Sequence, residues 1–329
     1  MTIVCKILKK TAAALLAAAL IFNLAPMSAV RAAAADPDVL LIPGAFDAAD
    51  EGVAELKRYI ASLEKIIELN VPRAEKIPVL LYHHLVKESE LTAAQSQNDS
   101  VMSVEQFSAQ MKYLFDNKYY TASLYELELY IDGKMNLPER TVVITFDDGY
   151  RSNTKYAYPI LKNYDFHASI FLITSLIGEK ENVIEHAGWS DLKKCGDVFS
   201  YHSHSHNLHK LQRDGRSSLI TSDSSAVVED LLISKALLST SYLAYPYGQS
   251  NRTVKKATAD AGFRMGFTTV ADYAKRRMDP LDIPRFIITP NIDLETFEAI
   301  CTGLANSVPA GAPPAEATAS TAAEAVEPE

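Results

Sequence analysis

Cysteine is nearly absent, with Cys5, Cys195 and Cys301 the three present in 329 residues. Cys5 lies ahead of the N-terminal apolar run rather than after it, which argues against a lipid-anchored cysteine. The other two cannot build a disulfide framework, leaving either one bridge or two separate buried thiols. Positive charge is short as well. The formal net charge of −9 disfavours nucleic acid or an anionic membrane surface as a partner. Tryptophan occurs once, at Trp189; an aromatic wall under a sugar is one reading, and core packing is the better one. No histidine follows His209, and no internal repeat is visible.

The ends of the chain read differently from its middle. Lys6, Lys9 and Lys10 precede an apolar stretch from Thr11 to about Ala25. Small residues follow, with cleavage sites at Val30-Arg31-Ala32 and in the alanines to Ala35. Residues 1–35 are therefore expected to be a secretory signal peptide. The stretch is marginal for a membrane span, so an uncleaved anchor is the one membrane role left open. Residues 36–72 carry one helical pattern, with Val53, Leu56, Ile60, Leu63 and Ile67 at three- and four-residue steps. It reads as an amphipathic helix that packs on the domain or spaces it, ended by Pro72. Residues 306–329 are rich in Ala, Pro, Thr, Ser and Glu and lack apolar periodicity, so disorder is expected there.

Between these ends strands and helices alternate. Strands are expected over 77–82, 141–146, 168–173, 198–202, 242–245 and 264–268. Helices are expected to open at Ser103, with Gln106 three residues on, after Thr121-Ala122-Ser123, and over 153–164, 189–194, 224–238 and 251–261. Regular β-α alternation implies a parallel sheet with outer helices, open or closed into a barrel. The active sites of such folds lie at the C-terminal ends of the strands.

Chemistry-bearing residues cluster at those ends. Thr145-Phe146-Asp147-Asp148-Gly149-Tyr150 places adjacent acids after an apolar strand. Neighbouring strand side chains point to opposite faces, but where the backbone turns at Gly149 both carboxylates can converge on one cleft. About fifty residues on come His202, His204, His206 and His209. One carboxylate with two imidazoles, and a second carboxylate left free, is the ligand-and-base set of a mononuclear hydrolytic metal site. The residues alone do not say which Asp is ligand and which is base.

These residues resemble the polysaccharide deacetylases of the NodB-homology type, carbohydrate esterase family 4. The family's T-F-D-D-G motif is present letter for letter. Its histidine motif is matched by Ser203-His204-Ser205-His206-Asn207-Leu208-His209, and its Pro-Tyr-Gly turn by Ala244-Tyr245-Pro246-Tyr247-Gly248. Ile77-Pro78-Val79-Leu80-Leu81-Tyr82-His83-His84 reads like the opening strand of many bacterial members. The resemblance covers about residues 73–305. It implies an α/β fold, a NodB-type distorted (β/α) barrel with parallel strands and outer helices.

The resemblance also implies roles. Asp148 is the metal-binding acid and Asp147 the base. The amide of Tyr247 helps hold the oxyanion, and Tyr150, Tyr245, Pro246 and Tyr247 line the substrate cleft. Two histidine pairings fit: His204 with His209, favoured through the poly-N-acetylglucosamine branch, or His202 with His206. One divalent ion is expected, Zn first, with Co, Ni or Fe able to replace it. The expected activity is N-deacetylation of N-acetylglucosamine-containing glycan in the cell envelope or biofilm. An O-acetyl esterase of the xylan type and a catalytically weak carbohydrate-binding member are the alternatives. The chain departs from the family's pattern in two places. Ala244 and Tyr245 stand where many members carry an Arg that orients the base, which puts base positioning in doubt. The late Leu-x-His general acid is missing too, which leaves His83 or His84 as the proton donor and implies low turnover. Ile283-Pro284-Arg285-Phe286-Ile287 marks the late strand, with Arg285 near the site.

Overall fold

The computed structural model describes residues 72–181 and 184–304. The expected signal peptide, the amphipathic helix before Pro72 and the Ala/Pro/Glu-rich tail lie outside the described residues. Within them, one parallel sheet holds eight strands. These are β1 (Val79–Tyr82), β2 (Tyr120–Thr121), β3 (Thr141–Phe146), β4 (Ala168–Leu172), β5 (Phe199–Ser203), β6 (Tyr242–Ala244), β7 (Met265–Phe267) and β8 (Phe286–Ile287). The strand order is β7-β6-β5-β4-β3-β1-β8, with β2 also pairing β3. The α-helices of six residues or more that follow are α1 (Val104–Asp116), α2 (Leu124–Ile131), α3 (Tyr158–Asn163), α4 (Trp189–Lys194), α5 (Ser224–Leu238), α6 (Arg252–Asp260) and α7 (Leu294–Cys301).

Every residue of β3 is buried, as a parallel strand covered on both faces must be. Alternation sorts its side chains. Val143 joins Val79, Phe171, Tyr242, Ala244, Met265, Phe267 and Ile283 in an interior cluster. Ile144 and Phe146 face the other way, into the layer beneath the helices with Leu80, Ile170, Phe107 and Leu161. The helix starts follow local chemistry. Ser103 accepts from the Gln106 N–H at 3.0 Å, and Ser123 and Glu126 form a reciprocal capping box. Caps of this kind are worth about 1 kcal/mol each.

The segment between β7 and β8 closes the barrel. Phe267 bridges Ile283 in parallel. The Ile283 N–H donates to Gly266 O and the Thr268 N–H to Ile283 O, each at 2.8 Å. The chain then enters β8, which pairs with β1 through Phe286 and Leu80. One short segment thus stitches the two sheet edges together, giving the distorted (β/α) barrel that the sequence led us to expect.

Three differences from the sequence reading have local causes. Pro78 splits the first strand, and Lys76–Ile77 turns aside to pair antiparallel with Ala274–Lys275. The helix expected at 153–164 opens with a π turn, Asn153–Ala157, before α3. α7 has no counterpart in the sequence reading, although its Asp293 cap, accepting from the Thr296 N–H at 2.8 Å, is a legible start signal. Cys195 and Cys301 are separate buried thiols. Among the described residues no helix is long and apolar enough to cross a membrane.

Tyr245 belongs to this framework and not to the cleft. Its side chain is fully buried, and its hydroxyl donates to Leu281 O at 3.0 Å. Its ring lies where a side chain at residue 266 would stand, so that position holds glycine. Gly266→Ala should therefore overpack the layer and cost about 1–3 kcal/mol. Urea unfolding should show a lower midpoint at unchanged slope; an unchanged midpoint would mean that Tyr245 can move aside.

Candidate metal and catalytic site

β3, β5 and β6 end on one rim of the sheet, with β4 between β3 and β5, and each end makes a sharp turn through a non-glycine residue at positive φ. These are Asp148 (φ 68°), Ser205 (φ 68°) and Tyr247 (φ 59°). After Asp148 the chain turns again at Gly149 (φ 74°), where a Cβ would run into the Leu172 side chain. These turns bring Asp148, His204 and His209 together, with one ligand atom from each lying within 4.8 Å of the others. Asp148 Oδ1 is 3.5 Å from His204 Nε2 and 3.3 Å from His209 Nε2.

The donor set fits a divalent cation. Asp148 Oδ1 is buried without a hydrogen-bond partner. His204 Nδ1 lies 2.8 Å from the Ala244 carbonyl; donating there, it leaves Nε2 as the lone-pair nitrogen of the neutral ring. Burial pushes His209 down to about 4, against the pull of Asp148. Burial alone would raise the Asp148 carboxyl, but His209, His83, His204 and the Tyr150 hydroxyl hold it well below the usual carboxylate range. His186 Nδ1 bonds the Asp148 carbonyl at 3.0 Å and steadies the turn.

Asp147 borders the same site, with Oδ2 at 3.8 Å from His204 Nε2. Arg285 grips it with both terminal nitrogens, Nη1 to Oδ1 and Nη2 to Oδ2, each at 2.7 Å. Arg285 is fully buried. Its Nε donates to Thr268 O at 3.0 Å, and its guanidinium lies 5.4 Å over the Phe171 ring. Burial works to raise the Asp147 carboxyl, and Arg285, His204 and His83 outweigh it, so the group is held below its ordinary value. The sequence left the positioning of Asp147 in doubt; here Arg285 fixes that carboxylate. The arginine absent beside Ala244 is supplied from the segment entering β8.

His202 and His206 are engaged elsewhere. His202 lies one layer deeper in the barrel, with Nδ1 at 2.8 Å from Thr240 Oγ1 and Nε2 at 2.9 Å from Ser200 Oγ. His206 Nδ1 bonds Thr174 Oγ1 at 2.9 Å. The His202/His206 pairing is thereby not the one brought to Asp148. His83 lies within electrostatic reach of Asp147, Asp148 and His204, and burial lowers its pKa. His84 bonds Ser152 Oγ at 2.9 Å and packs edge-on against Tyr150, with centroids 5.1 Å apart.

Of the expected cleft aromatics, Tyr247 stacks on His209 with centroids 4.5 Å apart, and Tyr150 reaches Asp148. Pro246 is buried in the turn and, like Tyr245, is not a sugar contact. Trp189 is 52% exposed, so core packing is not its role. Sequence reasoning missed His186, the Arg285–Asp147 pair and Asp230, whose carboxylate holds the histidine loop. An isolated His or a helical Asp carries no distinguishing pattern.

A family model described as polysaccharide deacetylase matches residues 134–266. The poly-beta-1,6-N-acetyl-D-glucosamine N-deacetylase of Staphylococcus aureus strain MSSA476 is 30% identical over 200 residues, covering 57% of this chain and 68% of that protein. The chain belongs to the polysaccharide deacetylase family. The Bacillus subtilis protein YxkH is 29% identical over 231 residues, 70% of this chain and 78% of that one. Among solved structures, IcaB from Ammonifex degensii superposes with a TM-score of 0.62 at 24% identity, covering 70% of this chain and 98% of that one. The Streptococcus pyogenes deacetylase PplD, solved with acetate, gives 0.60 at 25% identity, covering 69% and 98%.

Within this family member, removing one partner of the buried pair should be costly. Arg285→Met leaves the Asp147 charge unmatched and should lower unfolding stability by about 3–5 kcal/mol. Arg285→Lys keeps the charge but not the fork, and should fall between. Urea titration measures both; a loss under about 0.5 kcal/mol in Arg285→Met would show that water replaces the guanidinium.

Proposed function

We propose that this chain is an exported, metal-dependent polysaccharide N-deacetylase that removes acetyl groups from N-acetylglucosamine polymers of the cell envelope or biofilm. The observation that carries the reading is the convergence of Asp148, His204 and His209 beside a second carboxylate that is held apart by Arg285. The Staphylococcus aureus relative, named for poly-beta-1,6-N-acetyl-D-glucosamine, supports the polymer class. The basic-then-apolar stretch through Ala25 supports export, and the catalytic domain is taken as residues 73–305.

Asp148 Oδ1, His204 Nε2 and His209 Nε2 would hold one divalent ion, Zn first by its donor set, with Co, Ni or Fe as substitutes. Such an ion supplies Lewis acidity towards water and an amide carbonyl. Asp147 takes the proton of the attacking water on a carboxylate oxygen, and Arg285 keeps that carboxylate ionised and oriented. The amide of Tyr247, in its left-handed turn, supports the developing oxyanion, a contribution of roughly 3 kcal/mol where such donors have been removed. His83 is the group proposed to protonate the leaving amine, in place of the late histidine. The rings of Tyr150 and Tyr247 are proposed to meet the sugar.

Substitutions separate these roles. His209→Ala should abolish retention of the metal, whereas His202→Ala should not. Asp147→Asn should retain the metal and lose nearly all acetate release, because a carboxamide cannot accept the water's proton. Metal content and free amines are read after incubation with β-linked N-acetylglucosamine oligomers. Acetate release from acetylated xylan alone would favour the O-acetyl esterase reading. Binding of oligomers with no release from either substrate would favour a carbohydrate-binding protein.

A further inference from the structure

Helix α5 turns one stripe towards the barrel: Val227, Asp230, Leu231, Ser234 and Leu238 are its buried residues. Two of these are polar where apolar side chains are the rule. A carboxylate in a helix interior is poorly suited to the helix and costly to bury without partners. Asp230 has those partners, and all come from one place. Its Oδ1 accepts from the His206 N–H and its Oδ2 from the Asn207 N–H, each at 2.7 Å. One turn on, the hydroxyl of Ser234 lies 2.6 Å from that of Ser203, which in turn accepts from the Ser205 N–H at 3.2 Å.

The loop so held is the one that joins His204 to His209. It does not hold itself. Ser205 sits at φ 68°, a conformation that costs a non-glycine residue about 1–2 kcal/mol, and its buried hydroxyl has no partner. On the opposite side Thr174 and Ser175 donate their N–H groups to Ser205 O and His206 O at 3.2 and 3.0 Å. The loop is thus gripped from two faces. Only the α5 face brings a charge, and charge-assisted bonds are the stronger kind.

We propose that Asp230 is a positioning residue that sets the separation of His204 Nε2 and His209 Nε2, and with it the affinity of the site for its metal. The proposal rests on the reading of Asp148, His204 and His209 as ligands. Asp230 touches neither metal nor substrate. It acts through the backbone between the two imidazoles, as outer-shell groups do at other metal sites.

The test uses the full chain titrated with Co(II), followed by visible absorption and by competition with a chelator, with urea unfolding of the metal-free protein alongside. Asp230→Asn replaces one acceptor oxygen by a donor that faces an N–H. It should weaken Co(II) binding by about 10- to 100-fold and alter the absorption band, because the ligand geometry changes. Asp230→Glu should restore part of both. Should Asp230→Asn not fold, the comparison of Asp230→Glu with the native chain carries the same measurement. If Co(II) affinity and spectrum stay native while only the urea midpoint falls, Asp230 is a structural tether and the proposal is overturned. If the native chain itself takes up no Co(II), the ligand assignment falls and the proposal falls with it.

Discussion

The fork of Arg285 on Asp147 is the interaction on which the rest of this structure depends. Two opposite charges in a dry interior cost several kcal/mol each in lost hydration, and only close geometry with further hydrogen bonds offsets that. Here both terminal nitrogens reach both carboxylate oxygens, and Nε is taken up by the Thr268 carbonyl. The same residue is part of the seam that closes the barrel. Its N–H donates to Val270 O at 3.0 Å, and the next residue enters β8. Closure of the sheet and placement of the free carboxylate are therefore one event, and neither can loosen alone.

Around that pair, local preference and fold disagree in a patterned way. Asp148, Ser205 and Tyr247 all adopt left-handed backbone, and each stands just past the end of a neighbouring strand. A strand that continued straight would carry its next side chain away over the rim. The left-handed residue reverses the chain at once and returns the following groups over the barrel mouth. Such strain persists only where surroundings over-determine it. Ties are visible at all three turns: His186 on the carbonyl of Asp148, Asp230 with Thr174 on the loop after Ser205, and the Gly248 N–H on Tyr245 O at 2.8 Å across Tyr247.

Much of this was legible in the sequence, and what was legible had a period or a motif. β3 announced itself as an apolar run ending in Asp-Asp-Gly, and α1 by its Ser103 cap. The favoured pairing of His204 with His209 came from the motif's spacing, and the geometry brings those two to Asp148. What escaped were interactions between segments far apart in the chain. Arg285 is 138 positions from Asp147, and no local pattern reports a partner at that distance. Tyr245 escaped for the opposite reason. It lies inside a cleft motif, but alternation past Ala244 sends it outward beneath α6, into the cluster with Leu243 and Val254. Motif membership said cleft; strand parity said core, and parity won.

The balance of charge bears on what such a cleft is for. Two adjacent carboxylates are buried, and only Asp147 has a guanidinium. Asp148 faces imidazoles, of which His209, pushed down to about 4 by burial, is neutral at pH 7. The groups that hold the Asp148 carboxyl down are imidazoles and the Tyr150 hydroxyl, where Asp147 has the Arg285 fork. A sugar hydroxyl can donate to a carboxylate but brings no charge, so a fold kept for carbohydrate binding alone gains nothing from this arrangement. A divalent cation brings the missing charge, and the lone-pair nitrogen of His204 suits it equally well. A carboxylate forked by arginine beside one that faces imidazoles is an asymmetry that the proposed hydrolysis would use and that recognition of a sugar hydroxyl would not need.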